Sequence, residues 1–369
     1  MPSVTANSNR SRIAAVGIVA GLLVLSSQQP VLAQETTEKQ ERAERHELPP
    51  LTATVSPEEA LAAIKRRAQK IIEARRAARR LKIYVEGSEI YAYETNPSNA
   101  GNPTKGDSSF EEDVYLLLSK KLTPTIEWQG SYSGVYLKYL DYGDGDYTSH
   151  TLTPVKLVWR PGRMWRAETW MDLDYNYYPV AGDSSYRQIK WTGRLRQNLF
   201  GSAFHQFQYE WFDRHYTHKR ARDGAGNNTL TRRDDVRNRL RYKVGATVKK
   251  ALMTVENEYY WNDSNDAKNA FYDYQVWKIT GSASGNVTPK LYVSQSLAYE
   301  QKNYEHRAVS GITAEARYDG KYTLSSSVSY DLNKTWKIGY DFTYDHLDSN
   351  EPTGEFDNAK HAVKVTAHF

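Results

Sequence analysis

The sequence predicts an all-β protein: a transmembrane antiparallel β-barrel of about 14 strands, with 12–16 as the range, preceded by a short periplasmic α-helix. From Lys82 onward, apolar and polar residues alternate with a period of two, the pattern of strands whose two faces meet different surroundings. The chain has 28 Tyr, 9 Trp and 9 Phe, yet its mean hydropathy is −0.74. A barrel reconciles these values, because only every second residue faces lipid and aromatic residues collect at the membrane interfaces. A soluble β-sandwich is the competing fold, but it carries less Tyr.

Residues 1–33 have the features of a signal peptide. Arg10 and Arg12 precede the apolar run 13–25, and Val31 and Ala33 bracket the small-residue pattern that a signal peptidase recognises. The run is shorter than the ~20 apolar residues that a membrane-spanning helix needs. We therefore expect export, with residue 34 beginning the mature chain.

The next segments are predicted to be a flexible periplasmic leader, 34–57, and a basic amphipathic helix, 58–81. Ser56 is a good N-cap and Glu59 completes a capping box with it. The apolar stripe of the helix is thin and rich in Ala, which leaves three interpretations open. The helix is solvated, or it joins protomers or a periplasmic partner, or it plugs the barrel.

Residues 82–369 are predicted to form the barrel, with short turns at one end and long loops at the other. The pattern places short turns at 121–124, 160–163, 319–320 and 333–335, and longer loops near 96–108, 219–232 and 349–357. Fifteen strand-like runs can be counted, including 289–303, 305–318 and 321–332. A single-chain bacterial barrel has an even number of strands. We therefore expect 14 strands, and we expect the wrongly divided strand to lie within 303–335.

The alternation also predicts which side chains face the lumen. In 165–177 one face is apolar, from Trp165 to Tyr177, and the other carries Glu168, Asp172 and Asp174, with Trp170 beside them. A charge on the lipid face costs ~2–4 kcal/mol at the bilayer midplane, so the charged face must be the inner one. The run 336–345 divides in the same way.

Two strands are predicted to be basic inside, and we call their inward cations and the acids of 165–177 the charge ladder. It comprises Arg194, Arg196, Arg237, Arg239, Arg241, Lys243, Glu168, Asp172 and Asp174. A row of cations lining a pore favours anions or acidic sugars. The alternative is neutralisation across the wall, since Glu256 and Glu258 lie on the following strand. The two interpretations are compatible.

The last strand, 361–369, alternates as far as Phe369, with Val363 and Val365 on one face and Lys364 and His368 on the other. It resembles the C-terminal strand of Gram-negative outer-membrane β-barrels, which ends in Phe or Trp and is read by the barrel-insertion machinery. The resemblance implies residence in the cell outer membrane, among its lipids, and passive passage of small hydrophilic solutes as in porins. It does not resolve a subfamily, and the helix at 58–81 is not part of the minimal porin pattern.

Three other functions remain as rivals. The barrel could be the outer-membrane exit for an exported polysaccharide, or a closed scaffold that sheathes a partner protein. It could also be a hydrolase, but the sequence contains no motif that supports this, and we expect no enzymatic activity. With no Cys and nine scattered His, neither a thiolate site nor a metal site is predicted, and no cofactor is expected. The segment 82–369 carries 36 basic and 36 acidic residues, which argues against a nucleic-acid-binding surface.

Overall fold

The computed structural model of the chain describes residues 65–70, 80–98, 105–200, 202–223, 227–266, 272–309, 312–351 and 354–369. They form one closed barrel of 14 antiparallel strands, in which every strand pairs with its neighbours in sequence and β1 pairs with β14. The predicted fold class and strand number are confirmed. The strands are β1 Lys82–Glu94, β2 Asp107–Lys121, β3 Ile126–Tyr139, β4 Tyr147–Trp159, β5 Trp165–Tyr177, β6 Tyr186–Asn198, β7 Ala203–Arg222, β8 Asn228–Val248, β9 Ala251–Ser264, β10 Tyr274–Asn286, β11 Leu291–Val309, β12 Ile312–Asp331, β13 Trp336–Ser349 and β14 Phe356–His368.

The barrel is closed by a seam between its first and last strands. Glu86 lies opposite His368, and the pairing continues to Glu94 opposite Lys360. Beyond it, the backbone N–H of Phe369 donates to the carbonyl of Val85 over 2.9 Å. Phe369 therefore extends the seam, and its side chain, 74% exposed, follows the outward face. Its predicted role in membrane insertion stays a prediction.

The two ends of the barrel differ. At the end that holds the start of β1 and the end of β14, the connections are the short segments 122–125, 160–164, 199–202, 249–250, 287–290 and 332–335. We call this the short-turn end. At the opposite, loop end most connections are longer, among them 140–146 and 178–185, which contain short 3₁₀ helices at Gly143–Gly145 and Gly182–Ser184.

Two hairpins extend past the others at the loop end. Strands β7 and β8 have 20 and 21 residues and β11 and β12 have 19 and 20, whereas β5 has 13. The predicted loop at 219–232 is therefore wrong, because most of it continues this strand pair. The predicted turn at 319–320 is also wrong: Asp319 lies within β12, opposite Lys302 and Ser349. Beyond the membrane both faces of a hairpin meet water, so the alternation that marks a strand fades while backbone pairing continues.

The features predicted for the N-terminal segment fall mostly outside the described residues. Residues 65–70 are helical and exposed, within the predicted helix 58–81. The predicted signal peptide at 1–33 and leader at 34–57 lie outside the described ranges. Across those ranges, no helix is both long and apolar enough to cross a membrane.

The outer surface is apolar in a band with aromatic residues at its edge. Trp159, Trp165 and Trp336, each at a strand terminus of the short-turn end, are 51%, 41% and 45% exposed. Between the ends, outward side chains such as Leu173 and Val365 are open to the surroundings. Large apolar side chains stay exposed at no cost only where lipid covers them.

Candidate functional site

The charged residues predicted for strands β5 and β6 face one another inside the barrel. The register places Glu168 opposite Arg194 and Asp172 opposite Lys190. Glu168 is 5% exposed and contacts Lys156, Arg166 and Arg194, the last over 3.2 Å. A carboxylate this buried is stable only when it is paired, so these contacts neutralise the wall.

Trp170 lies among the same charges, as predicted from the alternation. The Lys156 ammonium and the Arg194 guanidinium each lie 4.9 Å from its ring centre. Its indole N–H donates to Asp172 over 3.1 Å. The ring is therefore held by cation–π contacts rather than anchored at a membrane interface.

Three of the four charge-ladder cations on β8 are paired with carboxylates. Arg239 contacts Glu210 over 3.1 Å, and Arg241 contacts Glu258 over 2.5 Å. Lys243 contacts Glu256 over 2.7 Å. Glu256 and Glu258 were expected from the sequence, whereas Glu210, on the other neighbouring strand, was not.

The fourth cation, Arg237, has no carboxylate partner among the described residues. Its guanidinium donates to the hydroxyl of Tyr274 over 2.5 Å and to Asn262 over 3.4 Å. The rings of Tyr260 and Tyr274 lie 5.3 and 5.7 Å from it. Of the four ladder cations on β8, Arg237 is therefore the one whose contacts are with tyrosine and amide groups rather than with a carboxylate.

Two further cations join Arg237, and we call the group the tyrosine–cation cluster. The Arg214 guanidinium lies 4.1 Å from the ring of Tyr186 and donates to Gln188, while the Lys302 ammonium lies 3.9 Å from the ring of Tyr274. Neither has a carboxylate partner among the described residues. The cluster comprises Arg214, Arg237, Lys302, Tyr186, Tyr216, Tyr260, Tyr274 and Tyr304.

The cluster spans strands β6 to β11. The ring centre of Tyr274 lies 6.2 Å from that of Tyr260 and 5.8 Å from that of Tyr304. Tyr186 and Tyr216 lie 5.8 Å apart. Aromatic faces attract a cation without cancelling its charge, so the three cations stay available to a passing solute.

Arg214 and Lys302 were missed by sequence reasoning. Each precedes a Tyr by two positions, at Tyr216 and Tyr304, so each pair shares the inward face of its strand. That spacing could have indicated them. The spacing was hard to recognise because both pairs lie where the long hairpins leave the membrane. There the outer face of each strand is polar as well, so the alternation of apolar and polar residues is lost.

Arg196 lies apart from the cluster, near the short-turn end. Its guanidinium is 3.7 Å from the ring centre of Phe204 and donates to Asn198 over 3.0 Å. Asp174, the remaining acid of the ladder, accepts hydrogen bonds from Thr151 and Gln188. Neither residue has an ion-pair partner among the described residues, so the ladder does not form one array.

The wall opposite the charge ladder includes several small side chains. Strand β13 lies half-way round the barrel from β6. Ser327 lies opposite Ser294, and Ser329 lies opposite Gly339. A cavity of about 190 Å³ lies against Ser327, Ser329, Gly339, Asp341 and Lys364. Glu86, Lys337, Thr366 and His368 also line this cavity, so small and charged side chains share this wall.

At the loop end, Asp273 lies just before β10, next to other acids. Its carboxylate accepts a hydrogen bond from the backbone N–H of Ser264 over 2.7 Å. Burial, together with the negative charges of Asp263 and Glu305, raises the pKa of Asp273 to about 6. No group of three or more His, Cys, Asp or Glu residues in the described ranges could hold a metal ion.

Comparisons with known proteins find similar barrels but no family. No protein-family model and no curated protein matches the chain. OmpT, an outer membrane protein of Vibrio cholerae, is similar at 9% identity and a TM-score of 0.49, over 78% of this chain and 97% of that one. The outer membrane channel DcaP of Acinetobacter baumannii is similar at 10% identity and a TM-score of 0.49, over 78% of this chain and 97% of that one. An anion-selective porin from Comamonas acidovorans is similar at 7% identity and a TM-score of 0.44, over 79% of this chain and 99% of that one.

These TM-scores lie below 0.5, so the class of the chain rests on its own geometry. The closed barrel has an apolar outer band edged with Trp, and its interior carries dense charge. Short turns close one end and longer loops the other. This is how barrels of the bacterial outer membrane are built. The chain belongs to the broad class of outer-membrane β-barrels.

Proposed function

We propose that this protein is an outer-membrane channel for small hydrophilic solutes that favours anionic ones. The observation that carries the proposal is the tyrosine–cation cluster. Arg214, Arg237 and Lys302 lack carboxylate partners among the described residues, whereas Arg239, Arg241 and Lys243 have them. A set of uncancelled charges inside a low-dielectric wall raises the local concentration of counter-ions.

The path of a solute is inferred from the unequal walls. Charged and aromatic side chains project from β5 to β11, while the facing strands β12 and β13 have Ser327, Ser329 and Gly339 among their lumen residues. A solute that moves along this side faces the cluster across the lumen. The neutralised pairs behind it keep the wall rigid and add little net field.

Acidic sugars are the solute class that the cluster fits best. Tyrosine rings offer flat faces on which sugar rings stack, and guanidinium groups bind carboxylates through two parallel hydrogen bonds. Five tyrosines and three cations alternate over this inner surface. An uronic acid uses both kinds of contact, whereas chloride uses only the charge.

The first test is single-channel conductance of the purified protein in a planar bilayer with a salt gradient. We expect discrete steps and a reversal potential biased toward anions. Arg214→Gln, Arg237→Gln and Lys302→Gln should each lower the anion-to-cation permeability ratio about two- to fivefold, which corresponds to about 0.5–1 kcal/mol per screened charge. Galacturonate should block the current more strongly than acetate or galactose.

A double variant, Lys243→Gln with Glu256→Gln, is the matched control, because it removes one charge of each sign from a paired site. Its selectivity should equal that of the parent protein. A cation-selective or non-conducting parent would exclude the proposed channel. Equal effects of the control and the cluster variants would refute the role of the cluster.

The remaining sequence predictions enter as parts of the same proposal. Residues 1–33 direct export, residues 58–81 form a periplasmic helix that contacts a partner or a second copy, and Phe369 is recognised during insertion. We assign the barrel no catalytic role. The tyrosines also fit a polysaccharide exit, and a long acidic polymer that blocks the current from the periplasmic side would favour that alternative.

A further inference from the structure

A groove of about 650 Å³ lies on the outside of the barrel, toward the loop end of strands β5 to β8. Its side chains belong to the outward face, because Tyr175, Arg187, His215 and Asp234 are successive partners across these strands. The inward residues Gln188 and Asp235 of the same strands are buried. The groove therefore opens on the outer face, although the inward residues Asp174, Gln188 and Tyr216 also line it, the last of these a member of the tyrosine–cation cluster.

The lower wall of the groove is apolar and faces the membrane. Leu173 and Ile189 lie opposite each other and are 38% and 41% exposed, and Tyr175 above them is 43% exposed. These residues continue the apolar outer band of the barrel. We therefore expect an acyl chain of the membrane to contact this wall.

The upper rim of the groove is basic. Arg187 and Arg232 are both exposed, and neither guanidinium has a carboxylate partner among the described residues. This contrasts with the interior, where most cations are paired. The exposed position of both side chains leaves their donors free for a ligand at the membrane surface.

Asp234, the acid at the rim of the groove, already contacts His215. His215 Nδ1 lies 2.8 Å from Asp234, and His215 Nε2 lies 3.4 Å from Asp213. The histidine thus links two carboxylates, of which Asp234 also lines the groove. Strands β7 and β8 continue past this level, so a headgroup beside the rim also has the hairpin wall against it.

We propose that this groove binds a phosphorylated lipid of the outer leaflet. Arg187 and Arg232 hold the phosphate, and an acyl chain lies along Leu173 and Ile189. The choice of a lipid follows from the juxtaposition of a basic rim and an apolar wall at the membrane boundary, which a soluble anion would use only in part. Guanidinium groups suit phosphate because their planar donors bind two of its oxygens at once.

The test is native mass spectrometry of the full chain in detergent, titrated with lipid A, a diphosphorylated and acylated glucosamine disaccharide. We expect one tightly retained lipid A, and weaker binding of its dephosphorylated form. Arg187→Gln with Arg232→Gln should lower the affinity about tenfold or more, because two charge-assisted contacts are lost. Ile189→Ala should lower it less.

The matched control is Lys138→Gln, which removes an exposed cation near the loop end of β3, away from the groove. It should bind lipid A as the parent does, and all variants should keep the heat-dependent gel migration of a folded barrel. Unchanged binding by the double variant would overturn the proposal. So would equal binding of dephosphorylated lipid A, competition by inorganic phosphate at the same concentration as lipid, or a dimer that the double variant abolishes.

Discussion

Arg237 and Arg239 share a strand and a face, yet their surroundings differ. Arg239 lies between Glu210 and Glu258, and Arg237 lies between tyrosine rings. The sequence predicted the inward direction of both, because alternation fixes the face. It could not predict their partners, since Glu210 and Tyr274 reach them from other strands whose register is set by the whole barrel.

At the scale of a single residue, Asp273 should make the loop end sensitive to pH. Its pKa of about 6 lies above the ordinary 3.8, so the folded state holds a proton that the unfolded state releases between these values. Stability is therefore greatest at low pH, falls as the pH rises from about 4 to 6, and stays lower above that. The loss should be about 1 kcal/mol after screening by solvent.

Amide hydrogen exchange of residues 264–274 at pH 4.5 and 7.5 measures this effect. Asp273→Asn keeps an oxygen acceptor for the backbone N–H of Ser264 and removes the charge. The variant should exchange slowly at both pH values, after correction for intrinsic rates. If its pH dependence matched that of the parent, another group would be responsible.

At the scale of an element, the turn between β8 and β9 contains an unfavourable residue. Lys249 has φ of 56°, in the left-handed region that favours glycine. A side chain there costs about 1 kcal/mol. Lys249→Gly should therefore raise the unfolding free energy by up to about 1 kcal/mol, as measured by urea unfolding of the protein in lipid vesicles.

Lys250→Gly is the matched control for this turn. Lys250 does not have a positive φ, so glycine there only adds freedom to the unfolded chain and should lower stability by about 0.5 kcal/mol. If both variants changed the unfolding free energy in the same direction, the loss of a lysine, rather than the backbone conformation, would explain the result.

The elements differ in how far the sequence predicted them. Strands such as β5 and β13 were predicted nearly to the residue, because lipid on one side and charge on the other keep the period of two visible. The sequence did not predict where the long strands end, namely β7, β8, β11 and β12, because their outer faces meet water there. The candidate site divides in a similar way: Arg237 was predicted to face the lumen, whereas Arg214 and Lys302, at the hairpins, were not identified from the sequence.

At the scale of the whole molecule, the barrel is complete without the segment before Lys82. The seam uses residues from Val85 onward, and the tyrosine–cation cluster lies within β6 to β11. Deletion of residues 35–81 with the signal peptide retained should therefore leave folding and anion preference unchanged. Conductance in planar bilayers checks this, and a large rise after deletion would instead identify the helix as a plug.

The seam also has a consequence for the order of assembly. Every other strand pair joins neighbours in sequence, so those hairpins can form as soon as their own residues meet. The seam alone joins residues from opposite ends of the sheet, such as Glu86 and His368, and closing a loop of that length costs about 5 kcal/mol of chain entropy. It is therefore the last pairing to form. Until then β1 and β14 are unpaired edges that can join other chains, so the risk of aggregation is greatest just before closure.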